Sequence, residues 1–169
     1  MLESKEENGK TYVTKLVHAG TPENFVYYCT ADYDAYRAEY LLTGNANYGN
    51  AYKTLSNGTE INPRSWEMYK DKELDAKGYI KEVHAMTYNE ALAITGSTSS
   101  TTGIRNTGSY YWLGSAQSSN YLWDVYPGGD IFDAHDWCWG VRPVVELNEG
   151  VYIASGDGSE TSPYILAKD

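Results

Sequence analysis

Within seven residues, Asp130-Ile131-Phe132-Asp133-Ala134-His135-Asp136, the chain places three carboxylates, an imidazole and a phenyl ring. A pair such as Asp133 and Asp136 has the chemistry of a general acid and base, and three aspartates can gather oxygens around a hard cation. The run matches neither the alternation of a half-buried strand nor an ordinary tight turn. It also belongs to a longer stretch with a local bias. Residues Asn106 to Val141 contain no Lys, Arg or Glu, yet hold four of the five tryptophans (Trp112, Trp123, Trp137, Trp139) and four aspartates (Asp124, Asp130, Asp133, Asp136). Apolar positions Leu122, Val125 and Ile131 are interleaved with Tyr, Ser, Asn, Gly, Asp and His. Antibody contact loops favour the same types, because rigid aromatics supply area and small polar residues adapt. A twisted sheet with tryptophans in its core and Asp/Gly in its turns would account for part of the same composition.

Catalytic patterns fail where they can be checked. His18, His84 and His135 are isolated, and neither H-E-x-x-H nor a nucleophile elbow is present. The EF-hand pattern is absent, and so is the Trp-Asn-Asp associated with sugar-binding calcium sites. Asp133 and Asp136 therefore read as solvated carboxylates, and Asp157-Gly158 as a hairpin turn. The expectation is no catalytic residue, no metal and no cofactor. The two cysteines, Cys29 and Cys138, make no disulfide framework and lack the paired spacing of a zinc site. Whether they bridge to each other stays open, and with it the redox compartment.

The elements that must position this stretch fit one domain, residues 1–169. A chain of this length can bury its own core. Its aromatic supply is unusual, 17 Tyr and 5 Trp against 2 Phe, which favours half-buried sites and contact surfaces. A net charge of −10 argues against nucleic acid and against anionic lipid as partners. No apolar run is long enough to span a bilayer, so this segment does not insert directly into a membrane. Nothing behind Met1-Leu2-Glu3-Ser4-Lys5 reads as a signal peptide.

Residues 1–10 are charged and expected to fray. Thr11 to His18 and Asn24 to Cys29 read as strands. Asp32 to Leu42 has a helical stripe of Tyr33, Tyr36, Tyr40 and Leu41. Asn57-Gly58 reads as a type I′ hairpin turn, Ser65 to Lys72 as a short helix and Tyr79 to Met86 as a strand. Thr87-Tyr88-Asn89-Glu90 is a capping box opening a helix that Gly96 closes. Ser97 to Thr102 is a loop. Tyr110 to Leu113, Tyr121 to Val125, Val141 to Leu147 and Tyr164 to Leu166 complete the strands. Short helices alternating with strands and ending in an antiparallel sheet define an α+β fold.

Tyr111-Trp112-Leu113-Gly114-Ser115, Trp139-Gly140-Val141-Arg142-Pro143-Val144 and the tail Ser155-Gly156-Asp157-Gly158-Ser159 with Ser162-Pro163-Tyr164 resemble a bacterial C-type-lectin-like family related to the formylglycine-generating enzyme fold. Met86 to Leu92 resembles the central helix of that family, and the matches span Trp66 to Leu166. The resemblance implies a C-type-lectin-like arrangement of short helices around a small antiparallel sheet. It carries no matching pair of catalytic cysteines from the oxidase branch.

In some members of this family the corresponding segment is the variable region of a diversity-generating retroelement, which mutates template adenines. An Asn codon can then become most residue types but not Trp, Glu, Lys, Gln or Met. Between Ser118 and Cys138 only Trp123 and Trp137 lie outside that reachable set. By this resemblance the two tryptophans are fixed scaffold, as are Trp112, Trp139 and Arg142. The ligand-binding face is then Tyr110, Tyr121, Asp124, Tyr126, Asp130, Phe132, Asp133, Ala134, His135, Asp136 and Cys138. The implied function is a bacterial or phage surface-displayed adhesin or receptor-binding domain with a protein or glycan ligand. Its native export signal or anchor is expected to lie outside this sequence. A structural pilin-like appendage subunit is the alternative, and an enzyme of the formylglycine-generating type a more distant one.

Overall fold

The computed structural model describes residues 1–17, 27–29, 53–54, 60–61, 70–99, 103–117, 121–134, 138–159 and 161–169. Two larger sheets, a two-stranded pair and two short helices form the described structure, an α+β arrangement. The larger sheet contains β1 (Glu3–Glu7), β2 (Lys10–Val17), β6 (Ile80–Ala85), β11 (Pro143–Leu147), β12 (Val151–Ser155) and β13 (Ile165–Lys168). Its order is β13-β12-β2-β11-β6, with β1 also paired to β2. Strand β11 lies between β2 and β6, which explains its nearly unbroken apolar sequence: Val144 and Val145 point to opposite faces and both are buried.

The smaller sheet has the order β3-β10-β7-β8-β9, from β3 (Tyr27–Cys29), β7 (Tyr111–Ala116), β8 (Leu122–Val125), β9 (Ile131–Ala134) and β10 (Cys138–Val141). Strands β7, β8 and β9 form an antiparallel meander, while β10 returns parallel to β7 and antiparallel to β3. The smaller sheet is therefore mixed, whereas the larger sheet, which holds the C-terminal strands β11 to β13, is antiparallel throughout its described pairings, as expected. A third pair, β4 (Lys53–Thr54) with β5 (Glu60–Ile61), brackets Asn57-Gly58, whose turn lies outside the described residues. The expected helix over 32–42 lies outside them as well.

Most of the expected Ser65 to Lys72 helix lies outside the described residues; helix α1 (Lys72–Ala76) is capped by Asp71, whose carboxylate accepts from the Glu73 and Leu74 amides. Helix α2 (Tyr88–Ala93) has the expected capping box, with Glu90 N donating to Thr87 Oγ1 and Thr87 N donating to Glu90 Oε2. The Gly96 amide closes it on Leu92 O.

Three expectations need correction. The first residues are not frayed. Asn8 and Gly9 both have positive φ, the type I′ requirement, and fold β1 back onto β2 as a hairpin. The stretch Val141 to Leu147 is two strands rather than one, since Arg142 lies between β10 in one sheet and β11 in the other. The run at 130–136, read as lacking periodicity, contains β9: Ile131 is buried, Phe132 exposed, and the ladder to β8 is regular. Strand β12, unforeseen, supplies the fully buried Val151.

Two apolar clusters tie the sheets together. One gathers Val13, Val83, Ala85, Val145 and Val151 of the larger sheet around Trp112 and Leu122 of the smaller. The other places Ala91 of α2 and Met86 against Tyr111, Leu113, Val125 and Ile131. The resembling tail motif also gains a physical reason. Gly156 has φ +90, and a Cβ there would meet the Pro163 carbonyl oxygen at 2.1 Å, so only glycine lets β12 turn towards β13.

Candidate functional site

The hairpin β8–β9 turns at Pro127-Gly128-Gly129, closed by Tyr126 N donating to Asp130 O and Gly129 N donating to Tyr126 O. Arg105 holds that turn from below. Its side chain is fully buried, Nε donates to Gly129 O, Nη1 to Ala91 O and Ser97 O, and Nη2 to Thr98 O. Ile131 N adds a bond to Thr98 O. Tyr111 Oη in turn donates to Arg105 O, and Arg142 Nη1 donates to the same hydroxyl and to Ile104 O. Arg142 is structural, as expected. Arg105 was missed, because a single arginine in a polar loop carries no local sign that it will be buried.

On this base four aromatic rings line up across neighbouring strands. Trp139 of β10 stacks on Tyr110, just ahead of β7, with centroids 4.8 Å apart and planes at 19°. Tyr110 meets Tyr126, just past β8, edge to face at 4.9 Å. Tyr126 meets Phe132 of β9 at 4.6 Å. Beneath the row, Trp112 packs on Trp139 at 4.7 Å and is itself fully buried. Each such pair contributes about 0.5–1.5 kcal/mol beyond area burial, so the rings orient one another. Tyr110 is 40% and Phe132 49% exposed. The strip therefore offers solvent a continuous, pre-ordered aromatic surface carrying tyrosine hydroxyls.

The expected face divides on this geometry. Tyr110, Tyr126 and Phe132 are brought together. Tyr121 is exposed at the start of β8, Asp133 is exposed opposite Trp123, and Asp130 is half-buried at the hairpin turn. Ala134 ends β9 opposite Leu122, and Cys138 begins β10 opposite Cys29. His135 and Asp136 lie outside the described residues, as does Trp137. Trp123 packs on Tyr88 at 4.5 Å, in keeping with a scaffold position. Trp139, expected as buried scaffold, is half-buried and joins the strip; the clue was its stacking distance from Tyr110, which no local pattern records.

Asp124 is not a surface contact. It is fully buried, opposite both Trp112 and Phe132, and neither carboxylate oxygen has a hydrogen-bond partner. Burial, followed by the charge of nearby Asp133, pushes its carboxyl up to about 8; the Asp124 and Phe132 amides offset part of this without reaching hydrogen-bond geometry. At neutral pH it is mostly a neutral acid beneath the aromatic strip.

A second polar cluster lies on the larger sheet. An open pocket there is lined by Lys15, Glu82, His84, Glu90 and Glu146. His84 Nε2 lies 2.9 Å from Glu90 Oε1, and Lys15 Nζ lies 3.0 Å from the same oxygen. Burial alone would raise the Glu90 carboxyl, but bonds from His84, Thr87 and Lys15 outweigh it and hold the group at about 2. The Glu90 hydrogen bond raises His84 in return. Glu82, His84 and Glu146 could each offer one ligand atom to a cation, all within 4.8 Å of one another. Lys15 already brings positive charge to within 3.9 Å of Glu146.

Compared with family models, curated proteins and solved structures, the chain shows no match to any of them. Among the described residues no helix is long and apolar enough to cross a membrane.

Proposed function

We propose that this domain is a ligand-binding module, not an enzyme, displayed on a bacterial or phage surface as an adhesin or receptor-binding domain. Its recognition surface is the strip Trp139-Tyr110-Tyr126-Phe132. The observation that carries the reading is this row of mutually packed rings, exposed at Tyr110 and Phe132, which runs from β10 past β7 onto a hairpin clamped by Arg105. Aromatic anchors on a rigid base supply most of the affinity in recognition surfaces, and polar neighbours set orientation. Asp130, at the turn beside Tyr126, is the polar neighbour, whereas Tyr121 and Asp133 alternate to the other face of the hairpin with Trp123. The resemblance to C-type-lectin-like variable proteins supports the same reading, with β8–β9 as the diversified hairpin between fixed strands β7 and β10. The ligand is a protein or a glycan.

The test pairs a glycan and protein array with a triple variant, Tyr110→Ser, Tyr126→Ser and Phe132→Ser. The variant is expected to melt cooperatively and to lose binding to every ligand the wild type captures. A folded variant that binds with undiminished affinity places recognition elsewhere and overturns the proposal.

A further inference from the structure

The sequence contains two cysteines, and the fold makes them partners: Cys138 of β10 and Cys29 of β3 face each other in the antiparallel ladder. Facing residues in such a ladder have Cα atoms about 4.5 or 5.5 Å apart. Disulfides bridge Cα separations of about 4.4–6.8 Å. Both spacings fall inside that window, and facing residues belong to the same side of a sheet. The strand that would gain most is β3, which has three residues and sits at the sheet edge with β10 as its neighbour. So short an edge strand has little hydrogen bonding to hold it. The adjacent pair in the ladder is Trp139 with Tyr28, so a bond here would fix the strand that carries one end of the aromatic strip.

We propose that Cys29 and Cys138 form a cross-strand disulfide that fastens β3 to β10. The oxidant is a small external disulfide such as oxidised glutathione. One cysteine thiolate attacks it, forming a mixed disulfide and releasing one glutathione thiolate. The second cysteine thiolate attacks the protein sulfur of that mixed disulfide and releases the other. The two protein thiols give up two protons and two electrons, and the external disulfide becomes two thiols. The closed loop takes in everything from β4 to β9, and long loops are where a cross-link most restricts the unfolded chain. Cys138 is then part of the scaffold rather than a ligand contact. The bond also requires passage through an oxidising compartment. This inference is independent of what the aromatic strip binds.

The experiment uses the whole chain equilibrated with excess oxidised glutathione, denatured, alkylated with iodoacetamide and weighed intact. The expected result is no alkylation before reduction and two adducts after dithiothreitol, with a peptide pair linking Cys29 to Cys138. Reduction should lower the melting temperature by several degrees. Cys29→Ser should melt like the reduced wild type and show no response to dithiothreitol. Two alkylated thiols after equilibration, a stable glutathione adduct on each cysteine, or a bond found only between two copies on a non-reducing gel overturns the proposal. The mass measurement on the wild type decides even if the variant fails to fold.

Discussion

Asp124 and Phe132 are partners across the β8–β9 ladder, yet Phe132 is 49% exposed while Asp124 is wholly buried. The strip thus rests on a carboxyl group that has no hydrogen-bond partner. Such a group is tolerated because it holds its proton, and that makes the fold sensitive to pH. In the unfolded chain Asp124 titrates near its ordinary value of 3.8; in the folded domain it titrates at about 8. Between those values the folded state keeps a proton that the unfolded state has released, so stability falls as pH rises. Above the folded value it levels off. The slope from this residue is at most about 1.4 kcal/mol per pH unit. Urea denaturation of wild type and Asp124→Asn at pH 5, 7 and 9 isolates it. The variant should gain on the wild type steadily from pH 5 to pH 9 and be the more stable of the two at pH 9. Parallel pH profiles would mean that Asp124 is solvated.

Trp112→Ala and Trp139→Ala should separate. Trp112 is fully buried in the cluster joining the two sheets, and its removal should cost about 3–5 kcal/mol. Trp139 is half-buried, so its truncation should cost clearly less in a denaturant melt while abolishing ligand capture. Equal destabilisation by the two would return Trp139 to the core.

Arg105→Met keeps the side-chain length and removes the donors. The buried carbonyls of Gly129 and Ala91 would lose this donor, at about 1–3 kcal/mol for each acceptor left unsatisfied, whereas Thr98 O keeps the Ile131 amide and Ser97 O the Thr95 hydroxyl. A loss of at least about 2 kcal/mol is expected, together with faster hydrogen exchange at the Tyr126 and Gly129 amides. Unchanged exchange there would show that the hairpin does not depend on Arg105.

Chelation with EDTA should leave the melting temperature unchanged, because Lys15 already supplies positive charge to the Glu82, His84, Glu90 and Glu146 pocket. A cation bound only by the native state would raise the melting temperature by mass action. A drop on chelation, restored by adding a divalent metal, would assign an ion to that pocket.

Gly156→Ala should detach β13. The added Cβ would press on the backbone at Pro163, and the φ of +90 is strained for any L residue. Amides of Leu166 and Lys168 should lose protection from exchange while those of β11 keep theirs.

What could be read in advance follows from how local each signal is. The capping box at Thr87 and Glu90 was legible because all its bonds lie within one turn. Strands β2 and β6 announced themselves by apolar residues bounded by turn chemistry. Strand β1 did not: Glu3, Lys5 and Glu7 are exposed, and an edge strand needs no apolar face. Arg142 was recognised as structural, but not as the point where the chain leaves one sheet for the other. At the site, residue types singled out Tyr110, Tyr126 and Phe132, which the fold brings into contact with one another. The sequence offered no means of telling buried Asp124 from exposed Asp133, since burial of a carboxyl depends on which strands arrive on either side. Trp139 shows the same limit in reverse.

Strand β2, within the first 17 residues, is held by β11 and β12, which begin at Pro143 and Val151. During synthesis on a ribosome, β1 and β2 can close their hairpin early, but the face that β11 and β12 will cover must wait for most of the chain to be made. Contacts between segments so far apart are slow to form and leave apolar surface open meanwhile. The hairpin β8–β9 emerges during that wait and pairs mainly with itself and β7. Altering its side chains should therefore perturb refolding rates less than altering β2 or β11. Variation confined to the hairpin would be released into a chain whose slowest folding step it does not govern.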